Sequence, residues 1–416
     1  MTIHTLIFTQ TSGMAWALAR GMGTVQSSKK DHLILDGAIL FWIAEPLARH
    51  ATPAEYQRDW KRYHWDQLPL LPEPKMQPTA AGRHLLEWLK TLAFVSKGTI
   101  KRIILAPAPE DSGYLRMQQA LDLATKAGFG KGLDVWLADM QQISTDTLRP
   151  HNLTPWSPGL RIVSEQCRIH GDWLLGMNLT RLLTIAYPEN LSAHCGRVTT
   201  AMLQVISEHP RPAPSPTDCH FSNLQGLFVD QGHLPEAVIL TVQWLYERGV
   251  ITWPFGQGAP RFVRFPAQNY PSPLHHQITA MIHGSMPLPQ HNKPPKAQGV
   301  GALLARLGAY PTAQGVAAIG RAKSRHKNLE RLIENGLVQV LKHTVSLTSK
   351  GEKQRQIAPP VLRDPLLLVV WEQRLQAVQA GSLSSSDFFT EVRDFLVSSK
   401  EFIRSREGVY AKEKIS

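Results

Sequence analysis

Up to about residue 145, the chain alternates between short apolar runs and stretches with helical periodicity. The runs HTLIFTQ (4–10), IKRIILAPAP (100–109) and GLDVWLADM (132–140) have the length and β-branched content of buried strands. In SGMAWALARGMG (12–23) and LRMQQALDLATKAG (115–128), apolar residues recur at helical spacing. Because strands separated by helices favour a parallel sheet, we predict an α/β domain here.

The pattern then becomes mainly helical. Residues 160–208 are typical of helices, and residues 300–403 predict helices with one hairpin. Two Pro-rich segments, RPAPSPTDC (211–219) and SMPLPQHNKPPKAQG (285–299), indicate boundaries. No run reaches the roughly 18 to 20 apolar residues of a membrane helix. The first residues lack a signal-peptide pattern, so we expect a cytoplasmic protein without membrane contact.

One pattern occurs twice. VQWLYERGVITW (242–253) and LERLIENGLVQV (329–340) each combine an amphipathic helix, a glycine at its end and a β-branched run. HTVSLTSKG (343–351) follows the second copy at hairpin distance, which gives the outline of a DNA-docking winged-helix module. The preceding RAKSRHK (321–327) is either a solvated face or a phosphate-contacting patch, with cations at Arg321, Lys323, Arg325 and Lys327.

The charge balance changes this picture. The chain has 45 Lys and Arg residues against 33 Asp and Glu, a net charge of +12. Such an excess favours a polyanionic partner, most often nucleic acid. The three cysteines, Cys167, Cys195 and Cys219, are widely spaced, so we expect buried or incidental thiols, not a disulfide framework or a zinc site.

Several motifs resemble type IA DNA topoisomerases, specifically the topoisomerase III branch. RIHGDWLLGMNLTRLLT (168–184) is similar to the family's Arg-x-x-x-Asp-Trp-Leu-x-Gly-Met-Asn-Leu-Thr-Arg segment almost letter for letter. LSAHCGRVTTAML (191–203) resembles its Leu-Ser-x-Gly-Arg-Val-Gln-Thr-Pro-Thr-Leu segment, with a two-residue insertion before Gly196. Further matches, such as ATPAEYQRDWKRYHWDQLPLLPEP (51–74) and RDPLLLVVWEQRLQAV (363–378), extend the resemblance over most of the chain.

The family's nucleophile is a tyrosine in a Gly-x-Ile-Thr-Tyr-Pro-Arg-Thr-Asp motif, which attacks a DNA phosphodiester. GVITWPFGQG (249–258) aligns with this motif without a gap and places Trp253 at the tyrosine and Phe255 at the arginine. An indole N–H is only a donor and cannot attack phosphorus. Neither Tyr246 nor Tyr270 is expected to replace the nucleophile, because neither lies at the strand tip.

The resemblance also implies a magnesium site made from an Asp-x-Asp-x-Glu-Gly cluster and an early glutamate. Here Ala108, Glu110 and Ser112 stand at the three acids, and Thr9 stands at the early glutamate. Mg²⁺ needs several hard oxygen ligands. We therefore expect no metal or other cofactor, although Asp111 is a neighbouring carboxylate.

The fold class implied by the resemblance is α/β plus mainly α. Residues 1–148 correspond to a Toprim-like parallel-sheet domain. Residues 149–208 and 297–416 correspond to a helical DNA-groove domain with a winged-helix-like (CAP-like) module. Residues 209–296 correspond to a reduced arch and the former tyrosine-bearing domain, since only about 45 residues separate Met202 from Gly249.

The resemblance further implies a groove for single-stranded DNA, because arginine suits phosphate recognition and Asn and Thr add neutral hydrogen bonds. The predicted groove residues are Arg168, Asp172, Asn178, Arg181, Arg197, Thr199 and Thr200. A local i,i+4 ion pair is the alternative reading for Arg168 and Asp172.

These patterns predict a pseudoenzyme that binds DNA. We expect single-stranded or junction DNA as the ligand, within a larger DNA-processing, mobile-element or defence assembly that supplies protein partners. One alternative is a protein-interaction scaffold without DNA binding. Another is a divergent metal-dependent nuclease or topoisomerase that reuses Glu110 and Asp111.

Overall fold

The computed structural model describes residues 2–62, 64–129, 132–187, 195–208, 218–288, 299–342 and 344–413. Two compact units are present. The sheet unit contains residues 1–51, 75–165 and 241–286, and the helical unit contains residues 52–74, 166–240 and 287–416. The predicted insertion at Ala193 and His194 lies outside the described residues, as do most of the two Pro-rich segments.

A seven-stranded sheet forms the centre of the sheet unit, in the order β2-β3-β4-β1-β7-β8-β9. Strands β4, β1, β7 and β8 are parallel, while β2, β3 and β9 pair antiparallel at the edges. A separate antiparallel pair joins β5 and β6. The strands are β1 Thr5–Thr9, β2 Val25–Ser28, β3 His32–Leu35, β4 Ala38–Trp42, β5 Ala48–His50, β6 Met76–Pro78, β7 Arg102–Ala106, β8 Asp134–Ala138 and β9 Leu153–Pro155.

Helices cover the sheet on its faces, as expected for a parallel sheet with a near-continuous apolar run in each central strand. Side chains from β1, β4 and β7 pack with those of the long helices in one hydrophobic core, which includes Leu6, Phe8, Leu89, Ile103 and Met117. The helices of this unit's chain segments are α1 Ser12–Ala19, α3 Ala80–Ser96, α4 Asp111–Lys126 and α9 Pro273–His283.

The helical unit is built mostly from helices and has its own core. That core joins Met202, Leu304, Leu332, Leu337 and Leu368. Its helices are α2 Pro53–Tyr56, α6 Arg197–Ser207, α7 Phe221–Asp230, α10 Val300–Gly308, α11 Arg325–Glu334, α12 Ser349–Ile357, α13 Pro360–Arg363, α14 Leu366–Ala380 and α15 Ser385–Glu413. Helices α5 Arg161–Ala186 and α8 Pro235–Glu247 each have residues in both units. No helix in the described part of the chain is both long and apolar enough to span a membrane.

The strands and helices predicted before residue 145 are confirmed as β1, α1, β7, α4 and β8, with the predicted parallel pairing. The prediction of one hairpin after residue 300 is wrong, since two are present. The pairs are β10 Tyr310–Thr312 with β11 Gly315–Ala317, and β12 Val338–Leu341 with β13 Thr344–Leu347.

The two copies of the helix-glycine pattern differ in structure. Gly249 and Gly336 have φ of 67° and 68°, a left-handed conformation that glycine adopts without steric cost. Helix α11 ends just before Gly336, and the β12–β13 hairpin follows this glycine. After Gly249, the chain makes only an isolated bridge between Ile251 and Phe262. The winged-helix assignment of the second copy stays a prediction.

Candidate functional site

The carboxyl ends of β1 and β7 lie side by side at one edge of the sheet, because Thr9 is in register with Ala106. The loops after these two strands carry the positions that the sequence assigns to a former metal site. Thr9 and Ala108 are buried there. The Ala108 N–H donates to Oε1 of Gln10 at 3.0 Å, so an amide side chain links the two loops.

Two carboxylates lie at the start of α4, beside this edge. Glu110 occupies the N-cap position of α4, and Ser112 lies in its first turn. The Asp111 carboxylate forms an ion pair with Nε of Arg161 at 2.7 Å. The Arg161 guanidinium also lies 4.2 Å from the centroid of the Tyr114 ring. The cation therefore already occupies one of the two carboxylates.

The residues at this edge do not fit a Mg²⁺ site, since Mg²⁺ is held by carboxylates in near-octahedral geometry. A buried methyl group at Ala108 and a hydroxyl at Thr9 stand where carboxylates are required. Among the described residues, no group of three or more His, Cys, Asp or Glu side chains is arranged to hold a metal ion.

Trp253 packs against the loop that follows β8. Its backbone N–H donates to the Gln141 carbonyl at 2.9 Å, and its side chain is only 5% exposed. The indole meets Tyr246 edge-on at 5.0 Å between ring centroids, and it meets Phe255 in the same way at 5.2 Å. An aromatic cluster thus fills the positions that the sequence assigns to the nucleophile and its arginine.

Tyr246 cannot replace the missing nucleophile. It is fully buried in α8, and its hydroxyl donates to the Met140 carbonyl. Burial raises the pKa of Tyr246 well above its ordinary value, and the charges of Glu247 and Asp139 add to this shift. The hydroxyl is therefore held protonated and away from solvent. Tyr270 lies before α9 and packs edge-on against His276.

Removing this hydroxyl has a consequence that depends on pH. At neutral pH, Tyr246→Phe should lower the free energy of unfolding by about 1 kcal/mol through loss of the buried hydrogen bond. The pKa of Tyr246 is higher in the folded than in the unfolded protein. The stability that its protonated hydroxyl contributes to the wild type is therefore complete below the unfolded pKa of about 10 and is lost as pH rises above it.

Denaturant unfolding measured from neutral pH to above about pH 10 tests this prediction. The stability difference between wild type and Tyr246→Phe should shrink above that pH, because the variant has no group to ionise at this position. Two unfolding curves that stay parallel over the whole range would contradict it.

Three comparisons place this geometry among known proteins. No family model matches the chain. A stretch of 170 residues, 41% of this chain, is 26% identical to the putative DNA topoisomerase 3 of Staphylococcus aureus strain bovine RF122 / ET3-1. DNA topoisomerase 3 of S. aureus strain MRSA252 matches with the same identity and length. The match spans only 23% of each relative's length.

The fold is similar to that of full-length topoisomerase I from Thermotoga maritima. The TM-score is 0.65 over 95% of this chain and 90% of that chain, at 12% sequence identity. The chain is a type IA topoisomerase-like protein. The similarity to the solved structure is one of fold.

Arginines of the topoisomerase-like motifs converge in the helical unit. Arg197 donates to Asp172 through two nitrogens, Nε at 2.9 Å and an Nη at 3.1 Å. Arg168 lies 3.5 Å from the same carboxylate, so the local pair considered above does form. Arg197 also lies 3.9 Å from Glu372, and its guanidinium is 5.0 Å from the centroid of the Trp371 ring.

This arginine cluster contains more positive than negative charge. Burial raises the pKa of Glu372, and the charges of Arg197, Arg168 and Arg321 act in the opposite direction, which places all three arginines near this carboxyl. Three guanidinium groups thus face two carboxylates, those of Asp172 and Glu372. Arg197 is largely buried and held by two hydrogen bonds, whereas Arg168 is partly exposed and Arg321 is exposed.

Two other residues of the motif hold a segment of the chain. The side chain of Asn178 is fully buried, accepts from the Leu70 N–H at 2.6 Å and donates to the Leu70 carbonyl at 2.8 Å. Arg181 is also buried and donates to the Trp60 carbonyl at 3.0 Å. We correct the prediction of phosphate contact for both, because their polar atoms are directed at buried backbone.

The same correction applies to Thr200 and Arg325. The Thr200 hydroxyl is buried 3.4 Å from the sulfur of Cys195. Arg325 is only 2% exposed and donates to the carbonyls of Ile319 and Gly320 at 3.1 and 3.0 Å. The Arg325 guanidinium therefore binds backbone carbonyls in the interior and is not available to DNA.

The remaining predicted residues stay at or near the surface. Thr199 is partly buried and donates to the Gly196 carbonyl at 3.2 Å. Arg321 and Lys327 are exposed and Lys323 is partly exposed, on either side of the start of α11. For Arg321, Lys323 and Lys327, phosphate contact stays a prediction; for Arg325 it does not.

The sequence reasoning missed Trp371 and Glu372, which complete the arginine cluster from α14. Both belong to RDPLLLVVWEQRLQAV (363–378), a stretch that resembles the family but had no residue assigned. A tryptophan and a carboxylate side by side, directly after the apolar run LLLVV (366–370), were the available signal. Cys167, Cys195 and Cys219 are free thiols, and burial raises the pKa of Cys167 and Cys195 to about 11.

Proposed function

We propose that this protein binds DNA without cleaving it. In this proposal it is a pseudoenzyme with a topoisomerase fold that engages single-stranded or junction DNA within a larger DNA-processing, mobile-element or defence assembly. The observation that carries the proposal is the buried indole of Trp253, packed on Tyr246 and Phe255 where a catalytic tyrosine and its arginine are needed. No Mg²⁺ takes part, because three of the four acid positions of the metal site, Thr9, Ala108 and Ser112, lack a carboxylate.

The arginine cluster supports the DNA-binding half of the proposal. Arg168 and Arg321 are accessible to a phosphate, while Arg197 is fixed behind them by Asp172. Arginine binds phosphate through parallel hydrogen bonds. Trp371 is buried against the Arg197 guanidinium and helps to fix this arginine in place. The matched stretch is a quarter of the relatives, so strand passage through a closed ring does not form part of this proposal.

A scaffold without DNA binding is the second candidate. It is favoured by the interior positions of Asn178, Arg181 and Arg325, since these buried side chains donate to backbone carbonyls. A nuclease is less well supported, because Arg161 already neutralises Asp111.

A salt titration separates the first two candidates. Replacing Arg168 and Arg321 together by Gln should weaken binding of single-stranded DNA in the absence of Mg²⁺, similarly for all sequences. The log-log slope of affinity against salt should flatten by about 1 to 1.4, because each phosphate contact on a single strand contributes roughly −0.7. Fluorescence anisotropy with a labelled oligonucleotide measures both quantities.

Arg374→Gln with Arg393→Gln is the matched control in the same unit. These arginines also pair with acids, Glu391 at 3.1 Å and Asp394 at 3.6 Å, and their removal changes the net charge by the same amount. The scaffold candidate expects weak binding throughout and equal slopes for both double variants. That result would remove DNA binding from the proposed function.

A further inference from the structure

A cavity of about 410 Å³ lies in the sheet unit. Helix α1 forms one wall, and the C-terminal end of α8 forms another. Its lining combines two tryptophans, two arginines and small or polar groups: Ser12, Gly13, Trp16, Arg20, Trp244, Glu247, Arg248 and Gln268. Ligand pockets for small molecules fall in the range of about 300 to 1,000 Å³, so the cavity has the volume for one.

Arg20 and Arg248 line this cavity, and Arg264 lies next to Arg248. Arg248 lies over the Trp244 ring, with its guanidinium carbon 5.0 Å from the centroid. Arg264 donates to the Arg248 carbonyl at 3.4 Å, and Arg20 donates to the Glu247 carbonyl at 2.9 Å. Burial lowers the pKa of Arg20, and the charges of Arg248 and Arg264 lower it further. The three cations therefore repel one another.

The nearby carboxylate of Glu247 is occupied elsewhere. It accepts from the Thr11 hydroxyl at 2.6 Å and from the Gln243 amide at 2.8 Å. It also lies against Gly13, where a larger side chain would have no room. The carboxylate thus sits at the N-terminus of α1, where the helix dipole favours a negative charge. Within the described residues of the lining, Glu247 is the single acid beside two arginines, Arg20 and Arg248.

We propose that this cavity binds a nucleoside phosphate. The face of Trp16 suits an aromatic base, and Arg20 and Arg248 suit the phosphate. Trp16 is 42% exposed, a large aromatic surface that a base would cover. Arg248 lines the cavity, and its buried Nε has no hydrogen-bond partner among the described residues.

A free nucleotide and the terminal nucleotide of a DNA strand share this chemistry. Both present one base and an accessible phosphate, so the cavity takes the same groups from either source. The cavity shares no residue with the arginine cluster of the helical unit. Its proposed role is therefore tested independently of DNA binding by that cluster.

Calorimetry with the full chain tests the assignment, using AMP, adenosine and inorganic phosphate as probes. AMP should bind saturably with a Kd below about 1 mM and more tightly than either adenosine or phosphate alone. Arg248→Gln and Trp16→Ala should each weaken AMP binding at least about tenfold, through loss of a charged hydrogen bond and of a stacking face. Trp16 is exposed enough for its truncation to be tolerated, so a misfolded Arg248 variant does not prevent the test.

Arg102→Gln, an exposed arginine at the amino end of β7, is the control and should bind AMP like the wild type. Dinucleotides with and without a 5′ phosphate distinguish the sources, since competition with AMP by the phosphorylated dinucleotide alone identifies a strand end. Competition by neither dinucleotide identifies a free nucleotide. Absence of saturable AMP binding, or equal affinity in the Arg248, Trp16 and Arg102 variants, would overturn the proposal.

Discussion

Replacing Asn178 by Leu should lower the free energy of unfolding of the helical unit by about 3 kcal/mol. The Asn178 amide satisfies both the N–H and the carbonyl of Leu70 at a fully buried position. Leucine fills a similar volume but offers no polar atom. Two backbone groups of Leu70 are then left without partners, and each costs about 1 to 3 kcal/mol when buried.

Urea unfolding monitored by circular dichroism measures the loss. Asn223→Leu is the control, because the Asn223 amide donates to an exposed Asp218 carboxylate at 2.9 Å and should contribute less than about 1 kcal/mol. At temperatures where the Asn178 variant is still folded, its salt slope for single-stranded DNA should equal that of the wild type. An unchanged unfolding midpoint with weakened DNA binding would restore the original phosphate-contact prediction for Asn178.

The sheet unit shows which parts of a fold can be read from sequence. β1, β7 and β8 were predictable because each central strand is a nearly continuous apolar run, and the helices between them imply parallel pairing. The edge strand β2, with sequence VQSS, has no such run and alternates between half-buried and exposed positions. Its place is set by pairing with β3, a tertiary contact that local periodicity does not contain.

The candidate site divides in the same way. Losses of chemical groups, such as Trp253 for tyrosine, can be read directly, because a side chain either has the required atom or lacks it. Roles of retained polar residues cannot, since they depend on contacts far along the chain. Asn178 bonds to a backbone 108 residues away, and Glu247 bonds to a hydroxyl 236 residues away. A match to a motif therefore does not distinguish a residue that packs the interior from one that binds a ligand.

The largest expected effect concerns catalysis. The purified protein should not relax negatively supercoiled DNA in Mg²⁺, and Trp253→Tyr alone should not restore relaxation or form a covalent DNA adduct. A tyrosine at this position would still lie in a nearly closed aromatic cluster, with Phe255 in place of an arginine. Loss of one group that stabilises transition-state charge typically costs about 10²- to 10³-fold in rate. The altered metal positions at Thr9 and Ala108 add a further loss.

Plasmid relaxation on agarose gels and denaturing electrophoresis of labelled oligonucleotides measure the two outcomes, with an active topoisomerase as the positive control. Trp253→Phe is the matched variant, because it has the same ring as the tyrosine variant without the hydroxyl. An adduct present with Trp253→Tyr and absent with Trp253→Phe would show that the remaining carboxylates, Glu110 and Asp111, do assemble a working metal site. If the wild type relaxes DNA and Trp253→Ala does not, the protein is an active enzyme and the pseudoenzyme hypothesis is wrong. Activity would then depend on Trp253, although its indole is not a nucleophile.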